Sequence, residues 1–258
     1  MDQQFGDVTV QLEEGFVALV EIHRPPNNFF DIALISDLAD VYETLDDDDA
    51  CRAIVLCSEG KHFCAGANFS SGPSGGTGGR GSELYTEAIR LARTKTPVVA
   101  AVQGAAVGGG LGLACSADFR VGCPEARFAA NFARLGFHHG FGLTATLPPI
   151  VGQQRTLDLL YTGRRMGGEE ALAAGLCDRL VPLEEVRTAA VALAAEIAAS
   201  APLAVRSIRE TMRGDLADRV AVATAHEREE QDRLRTTEDF AEGIRADGER
   251  RTPQFRGV

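Results

Sequence analysis

Two apolar runs that end in glycine-bearing turns limit this chain more than any other feature. Pro97–Val102 carries no charge and reaches Gly104, and Val107-Gly108-Gly109-Gly110 then opens an apolar helix through Ala114. Phe119–Val121 resumes the strand pattern. A short apolar run bounded by turn residues reads as a strand buried on both faces. Strand, helix and strand in that order predict an α/β layer with parallel crossovers. Ala53–Cys57 is a second buried strand of the same kind.

The flanking segments fit that layer. Val8–Leu12 and Val17–Ile22 read as strands of a hairpin around Glu13-Glu14-Gly15. Arg24-Pro25-Pro26-Asn27-Asn28 is a loop, and Asp31 can cap a helix from Ile32 to Leu45. The acidic run Asp46–Asp49 is expected to be a solvated helix end. Ser70–Gly81 holds six glycines in twelve residues and is expected to be a mobile loop, with a linker as the alternative. Glu83–Arg93 is helical by period. After Gly152 the pattern is nearly all helical, apart from a short strand at Cys177–Val181. Glu184–Ala199, Leu203–Arg213 and Ala217–Arg235 are three successive amphipathic helices.

Bulk properties exclude some partners. A formal net charge of -11 argues against non-specific binding to nucleic acid or to anionic membranes. It leaves room for a phosphorylated ligand, which needs only a local donor cluster. The segment from Met1-Asp2-Gln3-Gln4 shows no positively charged n-region and no apolar h-region, and no apolar stretch reaches the roughly 18 residues of a membrane span, so no span is expected. Cys51, Cys57, Cys64, Cys115, Cys123 and Cys177 form no C-x-x-C pair and show no zinc spacing. Reduced, buried thiols in a cytoplasmic protein are expected, and no metal.

The chemistry centres on two turns. Phe63-Cys64-Ala65-Gly66-Ala67-Asn68 and Val107-Gly108-Gly109-Gly110 each expose backbone N–H groups. Brought together, they aim two donors at one oxygen and make an oxyanion hole, each donor worth roughly 2.7–4 kcal/mol in the transition state. Gly109 sits at a helix N-terminus, where unpaired N–H groups and the dipole favour negative charge. The bland alternative is two tight turns and nothing more.

At these residues the sequence resembles the enoyl-CoA hydratase/isomerase (crotonase) superfamily over nearly its whole length. The resemblance runs through Ile22-His23-Arg24-Pro25-Pro26, Phe63-Cys64-Ala65-Gly66-Ala67 and Ala101-Val102-Gln103-Gly104-Ala105-Ala106-Val107-Gly108-Gly109-Gly110. Ala117-Asp118-Phe119-Arg120, Leu160-Tyr161-Thr162-Gly163-Arg164 and Ala171-Leu172-Ala173-Ala174-Gly175-Leu176 extend it. It implies an α/β crotonase (ClpP-like) spiral of repeated β-β-α units over 1–198. A C-terminal helical region over 199–258 would build a homotrimer or dimer of trimers. The implied ligand is an acyl-CoA thioester, with coenzyme A as part of the substrate and no permanent cofactor. The implied hole donors are Ala67 and Gly109.

The chain departs from the family where the family's hydratases carry two glutamates that position and activate water. Those positions fall on Gly112 and Phe132. Acid–base help of this kind is worth typically 10²–10⁴-fold, so ordinary hydration is expected to be weak. His138 and His139 are the candidate substitutes, since a near-neutral imidazole suits proton transfer. His139 falls close to the position of a catalytic tyrosine in related decarboxylases. A solvated loop is the alternative role for the pair. Arg24, Pro26, Ala65, Asn68, Phe69, Ser70, Phe132, Phe137 and Phe141 are the candidate substrate or CoA contacts, and the four phenylalanines suggest a bulky apolar acyl group. Three functions follow: enolate chemistry on a thioester, non-catalytic acyl-CoA binding or shuttling, and hydration through a histidine.

Overall fold

A computed structural model describes residues 3–69 and 81–258. Gln3–Phe5 (β1), Val8–Glu13 (β2) and Val17–Ile22 (β3) form an antiparallel meander. Ile32–Asp46 (α1) follows, capped as expected by Asp31, whose side chain accepts from the Leu34 amide at 3.0 Å. Its Leu34, Leu38, Val41 and Leu45 face is buried, each side chain contributing about 1.5–3 kcal/mol. The helix then leads into Ala53–Ser58 (β4).

Two short strands alternate with long ones from here. Gly81–Ala92 (α2) leads to Val98–Val102 (β5), Ala105–Val107 (β6) and Gly109–Ser116 (α3). Phe119–Gly122 (β7), Arg127–Ala129 (β8), a 3-10 turn at Asn131–Leu135 and Leu143–Val151 (α4) repeat the sequence of events. Gln153–Thr162 (α5), Arg165–Gly167 (β9), Gly168–Ala173 (α6) and Arg179–Leu180 (β10) complete the two sheets. Val186–Ala198 (α7), Pro202–Arg213 (α8), Leu216–Leu234 (α9) and Glu238–Gly248 (α10) end the chain.

The large sheet runs β1-β2-β3-β4-β5-β7-β10, parallel from β3 onward. The small sheet runs β6-β8-β9, and an isolated parallel bridge joins Cys64 to Ala106. Successive units thus place one strand in the large sheet and a short strand or bridge in the small one, then add a helix. This is a mixed α/β architecture of the kind the sequence resemblance implies. All residues of β4 and β5 are buried, as parallel strands covered on both faces require.

One expectation needs adjustment. Asp46 is buried, because its carboxylate accepts the Lys95 and Thr96 amides at 2.8–3.0 Å and ties the end of α1 to the entry of β5. The acidic run is therefore solvated only beyond it. The expected loop over 70–80 lies outside the described residues, with Gly81 already in α2. All six cysteines are free and buried.

Candidate active site

Three segments are stitched together where β4, β5 and β6 end. The Cys64 amide donates to the Ala105 carbonyl at 2.9 Å, and the Val107 amide to the Cys64 carbonyl at 3.0 Å. The Ala65 amide donates to Asn27, and the Phe30 amide to Gly66. Gly66 has φ +87° and Gly108 φ +58°, backbone that only glycine adopts without strain. A Cβ on Gly66 would lie 2.7 Å from the Val107 carbonyl oxygen and 3.7 Å from the Gly109 nitrogen. The Ala65–Ala67 turn is therefore packed against the N-terminus of α3, and glycine is what permits the approach.

Neither the Ala67 nor the Gly109 amide donates to any group among the described residues. Both residues line one cavity of about 700 Å³. Two unpaired N–H groups, one backed by a helix dipole, open on a largely apolar space and suit a developing negative charge. Gly66, Gly108 and Asn27 share that wall.

Aromatic rings shape the rest. Phe30 lies so close to the α-carbon of Gly109 that a Cβ there would overlap the ring. Phe30 and Phe141 pack with centroids 5.3 Å apart. Phe141 in turn fills the space beside Gly112, where a Cβ would meet its own Cβ at 2.7 Å and its ring at 2.8 Å. Phe137 sits 5.5 Å from Phe132, 5.9 Å from Phe69 and 5.1 Å from Phe240. Of the candidate contacts, Ala65, Asn68, Phe69, Phe132, Phe137 and Phe141 line the cavity. Ser70 lies outside the described residues.

Arg24 and Pro26 are not among the lining residues. Arg24 is instead committed to Asp7 at 2.6 Å and Asp31 at 2.9 Å, which ties the loop after β3 to the start of α1. These two candidates are corrected on that ground.

His138 and His139 also turn away from the cavity. Their rings stack on each other at 4.1 Å, and His226 of α9 stands edge-on to His138 at 5.9 Å. His138 Nδ1 donates to the His139 carbonyl at 2.8 Å. The Thr144 hydroxyl donates to Glu227 at 2.6 Å, so His139 Nε2 must donate to Thr144 Oγ1, at 2.8 Å. Burial first, then the neighbouring His138 and His226, push the His139 imidazole down to about 3. A ring so hard to protonate, stacked on His138 and bonded through Nε2 to Thr144, is a strut between this loop and α9. In this arrangement it is no proton donor to the cavity.

Sequence reasoning missed Asn131, Tyr85, Gln231 and Arg235, all of which line the cavity. The Asn131 carboxamide stands next to Gly108 and makes no hydrogen bond among the described residues. The Tyr85 hydroxyl donates to Gln231 Oε1 at 3.0 Å, and Gln231 Nε2 donates to the His138 carbonyl at 3.0 Å. Burial drives the Tyr85 phenol far above its ordinary value. One signal could have found the α9 residues. Its buried stripe runs through Val220, Ala223 and Thr224 and continues in phase onto Glu227 and Gln231, four residues apart, with Arg235 next. Among the described residues no cluster of His, Cys, Asp or Glu is arranged to hold a metal ion.

This geometry can now be set beside known proteins. The family model for enoyl-CoA hydratase/isomerase matches residues 13–258. The chain belongs to the enoyl-CoA hydratase/isomerase family. An enoyl-CoA isomerase/hydratase of Zymoseptoria tritici is 33% identical over 263 residues, covering 94% of this chain and 84% of the relative. A carnitinyl-CoA dehydratase of Proteus mirabilis is 31% identical, covering 94% and 96%. A crystal structure of an enoyl-CoA hydratase/isomerase from Pseudoalteromonas atlantica T6c superposes with a TM-score of 0.86 at 28% identity. It covers 97% of this family member and 100% of that chain.

Proposed function

We propose that this family member acts on an acyl-CoA thioester, whose carbonyl oxygen accepts hydrogen bonds from the Ala67 and Gly109 amides. The observation that carries the reading is the pair of unpaired amides at the wall of one cavity. Such a hole draws charge onto the thioester oxygen and stabilises an enolate. Decarboxylation suits it best, since loss of carbon dioxide leaves the enolate without a protein base and solvent supplies the proton; double-bond migration and thioester hydrolysis use the same hole but need a proton acceptor from the substrate or solvent.

Ordinary hydration is the weak activity in this reading. Gly112 and Phe132 carry no proton-transfer group, and the Phe141 ring fills the space beside Gly112. Among the described residues, the ionisable ones lining the cavity are Tyr85, Arg235, Arg245, Asp247 and Glu249, and the two carboxylates sit on the exposed end of α10. Asn131 can orient a water or a polar substituent beside the hole but cannot take its proton. The absence of a base near the hole among the described residues also favours a second reading, a protein that binds acyl-CoA without turning it over. A decarboxylase driven by His139 loses its support, since that ring faces Thr144 and Glu227.

The proposal extends to a homotrimer or dimer of trimers built through the C-terminal helices, in the cytoplasm. The exposed apolar side chains of α8 support the assembly. Among the described residues no single helix is long and apolar enough to cross a membrane.

Calorimetry with a panel of CoA thioesters tests binding, and mass spectrometry of the same mixtures tests turnover. At least one thioester should bind saturably. Its carbonyl stretch, read by difference infrared spectroscopy, should fall on binding. Crotonyl-CoA should hydrate slowly, lacking the roughly 10²–10⁴-fold help of a positioned base. Rapid hydration, or a bound carbonyl unshifted from water, removes the mechanism. Binding without any product selects the second reading.

A further inference from the structure

Arg235 closes α9 and lines the same cavity as Ala67 and Gly109. Its guanidinium makes no hydrogen bond and no ion pair among the described residues. That is unusual company for a cation in a chain of net charge -11. The other cation of the lining, Arg245, is exposed and paired with Glu242 at 3.4 Å. Arg235 is instead half-buried, set 5.3 Å from the centre of the Phe137 ring and 5.6 Å from that of Phe240. Burial pushes it below the ordinary arginine value.

Ring faces attract a guanidinium but accept none of its five N–H bonds in the way an oxygen does. Tyr85 and Asp232 act on the guanidinium through space, without a hydrogen bond or ion pair to it among the described residues. Gln231, one turn earlier, already accepts from Tyr85 and donates to His138. A half-buried cation whose donors are filled by no group among the described residues gains when a partner arrives with the ligand and displaces its water. The planar fork is best filled by a carboxylate, which takes two parallel bonds. From Arg235 toward the hole run the rings of Phe137 and Phe132, the latter 3.8 Å from a Cβ built on Gly108, and they offer contact to methylenes, while Asn68 and Asn131 bring polar groups to the hole end of the same cavity.

We infer that Arg235 binds a carboxylate carried on the acyl group, so that the ligands of this site are thioesters of dicarboxylic acids. The inference rests on the thioester reading above and narrows it. The free thioester carbonyl goes to Ala67 and Gly109, the methylenes lie along the phenylalanines, and the distal carboxylate meets the guanidinium.

The test uses CoA thioesters of dicarboxylic acids from malonic to suberic, each against its own monomethyl ester, in calorimetry with the full chain. At least one acid should bind about tenfold to a hundredfold tighter than its ester, the range expected for a charge-assisted hydrogen bond. Arg235→Met should bring that pair within about twofold of each other, with an unchanged far-ultraviolet circular dichroism spectrum reporting an intact fold. Arg235→Lys, which keeps the charge and loses the fork, should retain part of the preference and guards against a misfolded Met variant. No preference for any acid in the wild type overturns the inference, as does a preference that survives both substitutions. An anionic phosphate of coenzyme A is the rival partner for the guanidinium. In that case Arg235→Met weakens acid, ester and free coenzyme A alike but spares pantetheine thioesters, and the acyl carboxylate is wrong. If the wild type binds no thioester of either charge, the thioester reading itself falls. Ester binding without acid preference defeats only the present inference.

Discussion

Phe141 has φ +61°, a left-handed backbone that a bulky side chain adopts only when its surroundings hold it there. What holds it is the neighbourhood of the proposed site: the Phe30 ring on one side and the bare α-carbon of Gly112 on the other. The glycine at 112 and the phenylalanine at 141 are thus one device. Gly112→Ala should destabilise the protein by about 1–3 kcal/mol through overpacking. The same change in a Phe141→Gly background should have almost no effect, because the ring that the new Cβ meets is gone. A double-mutant cycle of urea unfolding measures the coupling, and equal penalties in the two backgrounds would contradict it. Glycine at 112 was legible in the sequence as a missing carboxylate. That a ring twenty-nine residues away fills its place was not, since nothing local to either residue encodes the meeting.

At the scale of elements, legibility followed length and period. α1, β4, β5 and α7–α9 each have enough turns or a long enough apolar run to announce themselves. β6, β8 and β9 have three residues each, too few to show alternation. α4 is hidden by Pro148-Pro149 in its last turns, residues that read as a break. The Gly136–Gly140 loop shows why the histidines misled. Phe137, Gly140 and Phe141 face the cavity, while His138 and His139 face α9, and composition does not disclose that switch. Their contact with α9 has a pH signature. The folded chain holds His139 neutral down to about 3, whereas an unfolded imidazole protonates near 6.5. Above about pH 6.5 neither state is protonated and the group is silent. As pH falls from there, the unfolded chain takes up the extra proton and stability declines, by up to about 1.4 kcal/mol per unit. His139→Gln keeps a donor for Thr144 and removes the titration. Urea unfolding at about pH 7 and about pH 5 should show a smaller loss for this variant than for the wild type. Equal losses would mean that the ring is not held neutral.

The whole molecule raises a question about α8 that its own contacts answer. None of its residues is buried. It is docked by charge: Asp118 at the start of β7 accepts from the Val98 amide at 2.8 Å, from Arg209 at 3.1 Å and from Arg213 at 2.6 Å, while Arg206 reaches the Asp46 carbonyl at 2.9 Å. Those bonds occupy its polar face and leave Leu203, Ile208 and Met212 82%, 63% and 73% exposed. Val222 of α9 is 75% exposed. An amphipathic helix that turns its apolar side outward has spent its pattern on something outside its own chain. A second copy is the occupant consistent with the proposed trimer, the stripe of each copy seating on a different surface of the next in the head-to-tail contact that closes a ring. Sedimentation of the wild type should therefore give a trimer or hexamer. Ile208→Asp combined with Met212→Asp should shift it to monomer with the fold intact, because both side chains are already in water in the isolated chain. Far-ultraviolet circular dichroism checks the fold in the same samples. A wild-type monomer at micromolar concentration would leave the exposed stripe without a purpose and would remove assembly from the proposal. An oligomer indifferent to both aspartates would keep assembly but move its interface away from α8.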